Sequence, residues 1–87
     1  MKLIWYDKAW DDYLYWQMQD KRTLKRINEL IKDIDRNGAL TGIGKPEALK
    51  DNLQGLFSRR IDEVNRLVYR ISEDGVIEIV MCRGHYS

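Results

Sequence analysis

A histidine and a tyrosine lie side by side at the C-terminal end of the chain, in the sequence Arg83-Gly84-His85-Tyr86-Ser87. His85 is the only histidine among the 87 residues. Because an imidazole gains and loses a proton near neutral pH, it can act as a general acid or a general base. Position alone favours a different interpretation, a solvated residue in a fraying terminus. The rest of the sequence is needed to distinguish a catalytic histidine from a solvated one.

The cysteine and histidine content restricts metal and redox chemistry. Cys82 is the only cysteine, so the chain can form no internal disulfide and no multi-cysteine metal site. One cysteine and one histidine are also too few for a zinc cluster. We therefore expect no metal ion and no cofactor. Cys82 itself is interpreted as a small buried residue rather than a nucleophile.

A mildly basic segment lies between residues 45 and 70. Its cations are Lys45, Lys50, Arg59, Arg60, Arg66 and Arg70, and its anions are Glu47, Asp51, Asp62 and Glu63. The whole chain has 15 lysines and arginines against 14 aspartates and glutamates, a net charge of +1. No overall basic field therefore indicates a nucleic-acid partner. Local composition favours a solvated, salt-bridged surface, and contacts to RNA phosphates are the alternative.

Two charged residues of this segment also have local explanations. Glu47 follows the only proline and would be a first-turn acid, stabilised by the dipole of a short helix. Arg70 could pair with Glu78 across neighbouring strands. Neither residue indicates chemistry by its local sequence alone.

Length and composition predict one small domain that spans residues 1–87. Apolar residues make up 44% of the chain, which favours a packed core over disorder. The sequence has no secretory apolar region and no apolar run close to the roughly 20 residues of a membrane span. We therefore expect a cytoplasmic protein without a membrane partner.

The N-terminal part of the chain predicts a strand and a helix. Residues 2–6 are short, apolar and aromatic, which favours a strand. Asp7 is predicted to cap the helix that follows. The apolar stripe of this helix includes Trp10, Tyr13 and Leu14, with Trp16 or Met18 as a further member. We expect these aromatic side chains to pack in the core rather than to stack on bases.

A second and more regular helix follows almost at once. Asp20 is predicted to cap it, and Asn37-Gly38 to end it. Its apolar stripe consists of Leu24, Ile27, Leu30, Ile31 and Ile34. Because the break between the helices is only about two residues long, we expect an antiparallel helical hairpin.

The remaining residues predict a loop and a set of strands. Glycines and the only proline indicate a mobile loop over residues 39–46, followed by a short helical turn over residues 46–50. The strands are predicted over residues 56–61, 66–71 and 76–82. A hairpin turn at residues 73–75 joins the last two. The order β-α-α-β-β-β predicts an α+β fold, in which a helical hairpin packs on a small, mainly antiparallel sheet.

Seven segments of the chain occur in the order and with nearly the spacing of a known family. They are residues 1–5, 10–17, 27–33, 44–47, 58–61, 66–69 and 85–86. On these segments the chain resembles the YoeB toxins of the RelE/ParE superfamily of bacterial toxin–antitoxin systems. The resemblance implies the RelE/ParE-like microbial ribonuclease fold. It also implies a ribosome-dependent endoribonuclease that cuts mRNA in the ribosomal A site and so inhibits translation.

When the family's catalytic residues are carried over by matching position, the resemblance implies four catalytic residues in this chain. They are Glu47, Arg66, His85 and Tyr86. Cleavage of RNA without a metal can use the neighbouring 2′-hydroxyl as the nucleophile. We then expect Glu47 as general base, His85 as general acid and Arg66 as an electrostatic clamp on the phosphoryl oxygens. Tyr86 could orient the phosphate through its hydroxyl or stack on a base.

The resemblance also makes four cations candidates for contacts with messenger or ribosomal RNA phosphates. They are Lys45, Lys50, Arg59 and Arg60. Lys50 and Arg60 are the preferred pair, because both lie close in sequence to the proposed site. Without the resemblance, each of the four is interpreted as an ordinary surface cation.

The partners that the resemblance implies are a YefM-type antitoxin, the bacterial ribosome and mRNA. A DNA operator would be bound only by the toxin–antitoxin complex, and homodimer formation is left open. Two alternatives remain, a ParE-like toxin that binds DNA gyrase and an inactive domain that only sequesters an antitoxin. A pure binder has no chemical need for Glu47, Arg66 and the terminal pair, which favours the nuclease.

The chain departs from the family pattern at two positions. Asn65 stands where family members often carry histidine, and Ser87 follows the tyrosine at which some members end. One extra residue moves the terminal carboxylate by about 3.3 Å along an extended chain. If that carboxylate contributes to the site, the rate or the pH optimum would differ.

Overall fold

The computed structural model describes residues 1–86. The expectation that concerns Ser87 therefore lies outside the described residues. In chain order the elements are β1 (Leu3–Trp5), α1 (Asp7–Gln19), α2 (Lys21–Asn37), β2 (Glu47–Ala48), β3 (Phe57–Arg60), β4 (Arg66–Ile71) and β5 (Ile77–Met81), with a 3-10 turn at Asp51–Leu53.

Within residues 1–86 the strands form a five-stranded sheet in the order β1-β5-β4-β3-β2. β1 is parallel to β5, and the other three pairs are antiparallel. The predicted α+β fold, two helices on a small and mainly antiparallel sheet, is confirmed. The sheet has one strand more than predicted, and that strand is β2.

The core lies between the helices and one face of the sheet. Leu67 and Tyr69 of β4 and Ile27 and Leu30 of α2 have no solvent exposure and belong to one apolar cluster. Burial of each such side chain stabilises the fold by about 1.5–3 kcal/mol. Alternation along β4 turns Leu67 and Tyr69 inwards and Arg66 to the opposite face. No helix within residues 1–86 combines the length and the apolar character that crossing a membrane requires.

α2 follows its prediction closely. The Asp20 carboxylate accepts hydrogen bonds from the backbone N–H groups of Arg22 (3.0 Å) and Thr23 (3.3 Å), and such a cap stabilises a helix by about 1 kcal/mol. Gly38 ends the helix with φ of 88°, which glycine adopts without steric cost. The buried positions are Ile27, Leu30, Ile31 and Ile34.

α1 differs from its prediction in its cap and in its buried face. Its N-cap is Tyr6, without a side-chain hydrogen bond, and Asp7 lies in the first turn, so the capping role predicted for Asp7 is wrong. Trp10 and Leu14 are 45% and 40% exposed. The buried positions are Ala9, Asp12 and Trp16. The helix presents this face because two of its polar side chains bond the backbone just beyond β5, a contact that local periodicity does not reveal.

The segment predicted as a helical turn over residues 46–50 contains β2 instead. Glu47 pairs with Ser58 and Ala48 with Phe57 in the antiparallel register, and the backbone N–H of Leu49 donates to Leu56 at 2.9 Å. Pairing with a formed strand thus overrides the weak local preference for a helix. The preceding proline is compatible with this outcome, because β2 is an edge strand.

Candidate functional site

One face of the sheet, opposite the helices, carries two of the four predicted catalytic residues, Glu47 and Arg66. Cross-strand neighbours place Glu47 of β2 opposite Ser58 of β3, and Arg60 of β3 opposite Arg66 of β4. Paired residues point to the same side of a sheet, and so do residues two apart along one strand. Ser58 and Arg60 are two apart, so Glu47 and Arg66 lie on the same face.

The side chain of Tyr86 reaches the Glu47 carboxylate from the C-terminal tail. Its hydroxyl donates a 2.9 Å hydrogen bond to Glu47 Oε1 and lies 3.3 Å from Ser58 Oγ. Ser58 is 1% exposed and donates to the same carboxylate oxygen at 3.5 Å. These three polar groups form a cluster that brings two of the predicted catalytic residues into direct contact.

His85 is exposed beside this cluster. Its ring stacks on the ring of Tyr86, with centroids 4.8 Å apart. His85 Nδ1 lies 2.6 Å from the carbonyl oxygen of Tyr86, and a carbonyl oxygen can only accept, so this contact requires the proton on Nδ1. Nε2 has no hydrogen-bond partner within residues 1–86, so it is the nitrogen that can exchange a proton with a substrate.

Arg66 is the first residue of β4, and part of its guanidinium points to the preceding turn. Nη1 donates to the carbonyl oxygens of Asp62 at 2.7 Å and Asn65 at 3.2 Å. The other guanidinium donors make no hydrogen bond within the described part of the chain, and a guanidinium fork of this kind suits a phosphate. Among residues 1–86 no ion pair joins Arg66 to Glu47. The guanidinium of Arg66 is therefore not paired with this carboxylate.

The turn that supports Arg66 is ordered by the side chain of Asp62. Its carboxylate accepts hydrogen bonds from the backbone N–H groups of Val64 (2.8 Å) and Asn65 (2.7 Å). Partial burial raises the pKa of Asp62, but the hydrogen bonds from Asn65 and Val64 outweigh this effect and hold the pKa below its usual value. The carboxylate therefore stays ionised at neutral pH and keeps the turn closed.

The match to known proteins covers this site completely. A family model described as the YoeB-like toxin of bacterial type II toxin–antitoxin systems matches residues 5–86. The chain belongs to the YoeB toxin family. The matched range includes both helices, the strands β2 to β5 and all four predicted catalytic residues.

Individual YoeB proteins resemble the chain over almost its whole length. The YoeB toxin of Escherichia coli K12 is 58% identical over 86 residues, which are 99% of this chain and 100% of that protein. The toxin in a heterotetrameric YoeB–YefM complex from Staphylococcus aureus is 51% identical, with a TM-score of 0.92 over 99% of this chain and 98% of that one. A YoeB dimer from the same organism is 52% identical, with the same TM-score and coverage.

Three of the four cations predicted to contact RNA are exposed in this YoeB-family chain. They are Lys45, Lys50 and Arg60. Within residues 1–86 none of the three forms an ion pair. Lys45 lies two residues before Glu47 and has a positive φ of 50°, an uncommon backbone conformation for a residue with a side chain. Arg60 lies directly opposite Arg66. All three can therefore meet a bound polyanion.

The fourth cation, Arg59, is in the core, and its predicted role as an RNA contact is corrected here. Its side chain has no solvent exposure. It forms an ion pair with Asp33 and donates to the Tyr69 hydroxyl at 2.9 Å. Its remaining donors bond the carbonyl oxygens of Gly38, Thr41 and Ile43 at 2.8–3.0 Å. Alternation explains this placement, because Arg59 lies between Ser58 and Arg60 on β3 and therefore points to the opposite face.

The loop over residues 39–46, which was expected to be mobile, is attached to Arg59 by these bonds. The loop packs closely, since a Cβ atom on Gly42 would lie 1.8 Å from a carboxylate oxygen of Asp33 and one on Gly44 would lie 2.8 Å from a side-chain atom of Leu30. The hydrogen bond from Arg59 is the main reason that the pKa of Asp33 lies below its usual value. A single buried side chain thus fixes the segment that leads into Glu47.

Two sequence-based interpretations of residues near the site are confirmed. Arg70 pairs with Glu78 across β4 and β5 at 3.6 Å. Cys82 is fully buried, and burial, followed by the negative charge of Asp12, raises the pKa of its thiol to about 12. Among residues 1–86 no three His, Cys, Asp or Glu side chains gather in an arrangement that could hold a metal ion.

Sequence reasoning missed Ser58, Asp12 and Asn65. Ser58 bonds Glu47 and Tyr86, whereas Asp12 and Asn65 bond the backbone of the C-terminal tail. One signal was available for Asp12, because an acid on the buried stripe of a helix needs a partner. Asn65 is marked in the sequence only by its departure from the family pattern. Its bond to Gly84 and the contacts of Ser58 follow from long-range pairing.

Proposed function

We propose that this chain is a ribosome-dependent endoribonuclease that cuts mRNA in the ribosomal A site and so inhibits translation. The observation that supports the proposal best is the hydrogen bond from Tyr86 to Glu47. It joins the C-terminal tail, with His85, to the sheet face that also carries Arg66. A proton acceptor, a proton donor and a cation are thereby available on one surface, and their types match the needs of RNA cleavage.

The reaction starts with the 2′-hydroxyl of the nucleotide at the cleavage point. Glu47 takes its proton, and the resulting oxygen attacks the adjacent phosphorus, while the bond from phosphorus to the 5′-oxygen breaks. His85, in its imidazolium form, gives a proton to the departing 5′-oxygen through Nε2. The products are a cyclic 2′,3′-phosphate and a free 5′-hydroxyl, so protons and charge balance without a metal ion or a cofactor.

Arg66 and Tyr86 act on the phosphate itself. Negative charge grows on the phosphoryl oxygens in the transition state, and the guanidinium donors of Arg66 that are free within residues 1–86 would bind them. The Tyr86 hydroxyl, which lies between Glu47 and Ser58, would orient the phosphate and the base Glu47 relative to each other.

The ribosome supplies the alignment that so small a site lacks. Proximity and orientation can lower the activation free energy by about 7–11 kcal/mol, which is more than one proton-transfer group provides. Three exposed cations would hold messenger or ribosomal RNA phosphates beside the site. Lys45 and Lys50 lie within three residues of Glu47 in the sequence, and Arg60 is paired with Arg66 across β3 and β4. A cytoplasmic location follows from a ribosomal substrate.

A YefM-type antitoxin is the proposed inhibitor. The support is the Staphylococcus aureus YoeB–YefM complex, whose toxin chain has nearly the same fold. A homodimer is proposed from the YoeB dimer of the same organism. Operator DNA would be bound only by the toxin–antitoxin complex.

The decisive experiment is primer extension on a defined mRNA in programmed bacterial ribosomes. Wild-type protein is compared with Glu47→Gln and His85→Ala, and with a reaction without ribosomes. Each variant is expected to cut at least about 10²-fold more slowly, since proton transfer contributes that much. Glu73→Gln is the matched control, because Glu73 is an exposed carboxylate in the turn before β5 and makes no side-chain hydrogen bond within residues 1–86.

One outcome would overturn the nuclease proposal, and another would overturn only the assignment of its residues. If folded, antitoxin-free wild-type protein leaves the mRNA intact on ribosomes, a gyrase-binding toxin or a domain that sequesters an antitoxin becomes the better explanation. If cleavage occurs but Glu47→Gln and His85→Ala both cut like Glu73→Gln, the nuclease stands and the assignment of base and acid fails.

A further inference from the structure

The backbone just before His85 is held on one side by α1. β5 ends at Met81, so the polar backbone groups of Cys82 have no strand partner. The Asp12 carboxylate accepts from the Cys82 N–H at 3.0 Å, and the Trp16 indole N–H donates to the Cys82 carbonyl at 2.8 Å. Both side chains are buried. The tail therefore leaves the sheet in a fixed direction.

On its other side the tail is held by Asn65, in the turn before β4. Asn65 Oδ1 accepts from the backbone N–H of Gly84 at 2.8 Å, and the carbonyl of Gly84 accepts from the backbone N–H of Arg66 at 3.0 Å. Gly84 has φ of 90°, a left-handed conformation that redirects the chain towards Glu47. Both polar backbone groups of Gly84 are thus bonded to two consecutive residues.

The same Asn65 also touches the support of Arg66. Its side-chain amide nitrogen donates to the Asp62 carboxylate at 3.0 Å, and its backbone carbonyl oxygen accepts from Arg66 Nη1 at 3.2 Å. The side-chain amide of Asn65 therefore accepts from the tail through Oδ1 and donates to the turn through Nδ2. A carboxylate here would repel Asp62, and an apolar side chain would leave the N–H of Gly84 without a partner.

We propose that Asn65 is a positioning residue, which sets the place of the His85–Tyr86 pair relative to Arg66. This inference rests on the proposed nuclease function. Asn65 is not one of the proposed proton-transfer groups, and it acts through its contacts with Gly84, the turn and Arg66. Displacement of a reacting group by about 1 Å can lower a rate about 10²-fold, so a lost tether should slow cleavage strongly.

The first test compares Asn65→Ala with wild type in single-turnover cleavage at varied ribosome concentration. The rate at saturation is expected to fall about 10- to 100-fold, while the ribosome concentration at half-saturation changes by less than about two-fold, because no RNA contact is removed. Gln17→Ala is the matched control, since Gln17 is an exposed amide on α1 without a side-chain hydrogen bond in residues 1–86. A fall no larger than in Gln17→Ala would overturn the proposal.

A second variant, Asn65→His, separates positioning from simple loss of stability. A neutral imidazole can accept from the Gly84 N–H and an imidazolium cannot. Activity is therefore expected to recover towards wild type near pH 8 and to fall more steeply than wild type towards pH 6, on either side of the usual imidazole pKa of about 6.5. A purely structural role predicts the same ratio to wild type at both pH values, and that result would contradict the proposal.

Nuclear magnetic resonance tests the tether without any cleavage assay. The one histidine gives a single set of imidazole signals, so a change in the surroundings of His85 is read without ambiguity. Asn65→Ala should shift these signals and speed the exchange of the Gly84 amide proton, whereas Gln17→Ala should do neither. Unchanged signals and exchange would overturn the positioning role. If these changes occur but wild-type protein cuts no mRNA, the tether is supported and the nuclease proposal is the one that fails.

Discussion

The hydroxyl of Tyr86 donates a 2.9 Å hydrogen bond to Glu47 Oε1, although 39 positions separate the two residues. The bond joins the C-terminal tail to β2, an edge strand of two residues. A carboxylate has about four lone-pair positions, so Glu47 can keep this bond and still accept a proton from a 2′-hydroxyl. The contact is therefore compatible with a substrate-bound state.

Removal of this hydroxyl should slow cleavage without unfolding the protein. Tyr86→Phe keeps the ring that stacks on His85 and loses the bond to the carboxylate. A hydrogen bond to a charged group contributes about 1.5–3 kcal/mol, so single-turnover cleavage should be about 10- to 100-fold slower. Tyr6→Phe is the matched control, because Tyr6 donates an equally long bond to Glu78, far along the sheet. Equal rates for both variants would remove Tyr86 from the mechanism.

Replacement of Arg66 by lysine should lower the cleavage rate although the charge is kept. A lysine cannot bond the turn carbonyls and a phosphate at once through a planar fork. We expect a loss of about 10²-fold in the rate at saturating ribosomes. Arg70→Lys, on the same strand and exposed, should remain within about two-fold of wild type. An active Arg66→Lys protein would show that only a diffuse positive charge is needed.

Arg59→Met should destabilise the fold rather than weaken RNA binding. The variant removes a buried guanidinium that makes five hydrogen bonds and leaves Asp33 without its partner. Loss of one member of a buried pair costs about 3–5 kcal/mol, so chemical denaturation should reveal a much lower free energy of unfolding. Arg36→Met, at an exposed position of α2, is the control. A stable Arg59→Met protein with weakened ribosome binding would instead restore Arg59 to the RNA contacts.

The Asp33–Arg59 pair should also contribute to acid unfolding. The pKa of Asp33 is lowered in the folded protein, chiefly by the hydrogen bond from Arg59. A lowered folded pKa means that the contribution is fully present above the unfolded value of about 3.9 and is lost as pH falls through the folded value. Asp33→Asn should therefore be less stable than wild type at neutral pH, and the difference should shrink at low pH. A constant difference down to about pH 2 would contradict this linkage.

The thiol of Cys82 should be inert in the folded protein. Its pKa is raised to about 12, first by burial and then by the charge of Asp12, and only the thiolate is a good nucleophile. A disulfide reagent at about pH 8 should react with the denatured chain and not with the native one. The raised pKa also means that this residue favours the folded state less as pH rises above about 8.5, where the unfolded thiol ionises. Rapid reaction of native protein would show that the C-terminal segment opens readily.

Elements whose signals are local could be predicted from the amino-acid sequence. α2 was predicted with its cap at Asp20 and its end at Gly38, because capping and the 3.6-residue period act within a few residues. β4 was predicted over the same residues, 66–71, that form it in the structure. The family resemblance selected Glu47, Arg66, His85 and Tyr86, and no local pattern would have done so.

Which of these residues come into contact depends on long-range pairing in the folded chain. β2 forms because β3 is present to pair with it, Arg59 is buried because the β3 register turns it inwards, and Asn65 matters because Gly84 returns beside it. Each of these contacts joins positions far apart in the chain. The spacing of apolar residues indicates which face of an element a side chain occupies. The hydrogen bonds and the burial that give the side chain its role come from distant segments, which are brought together only when the chain folds.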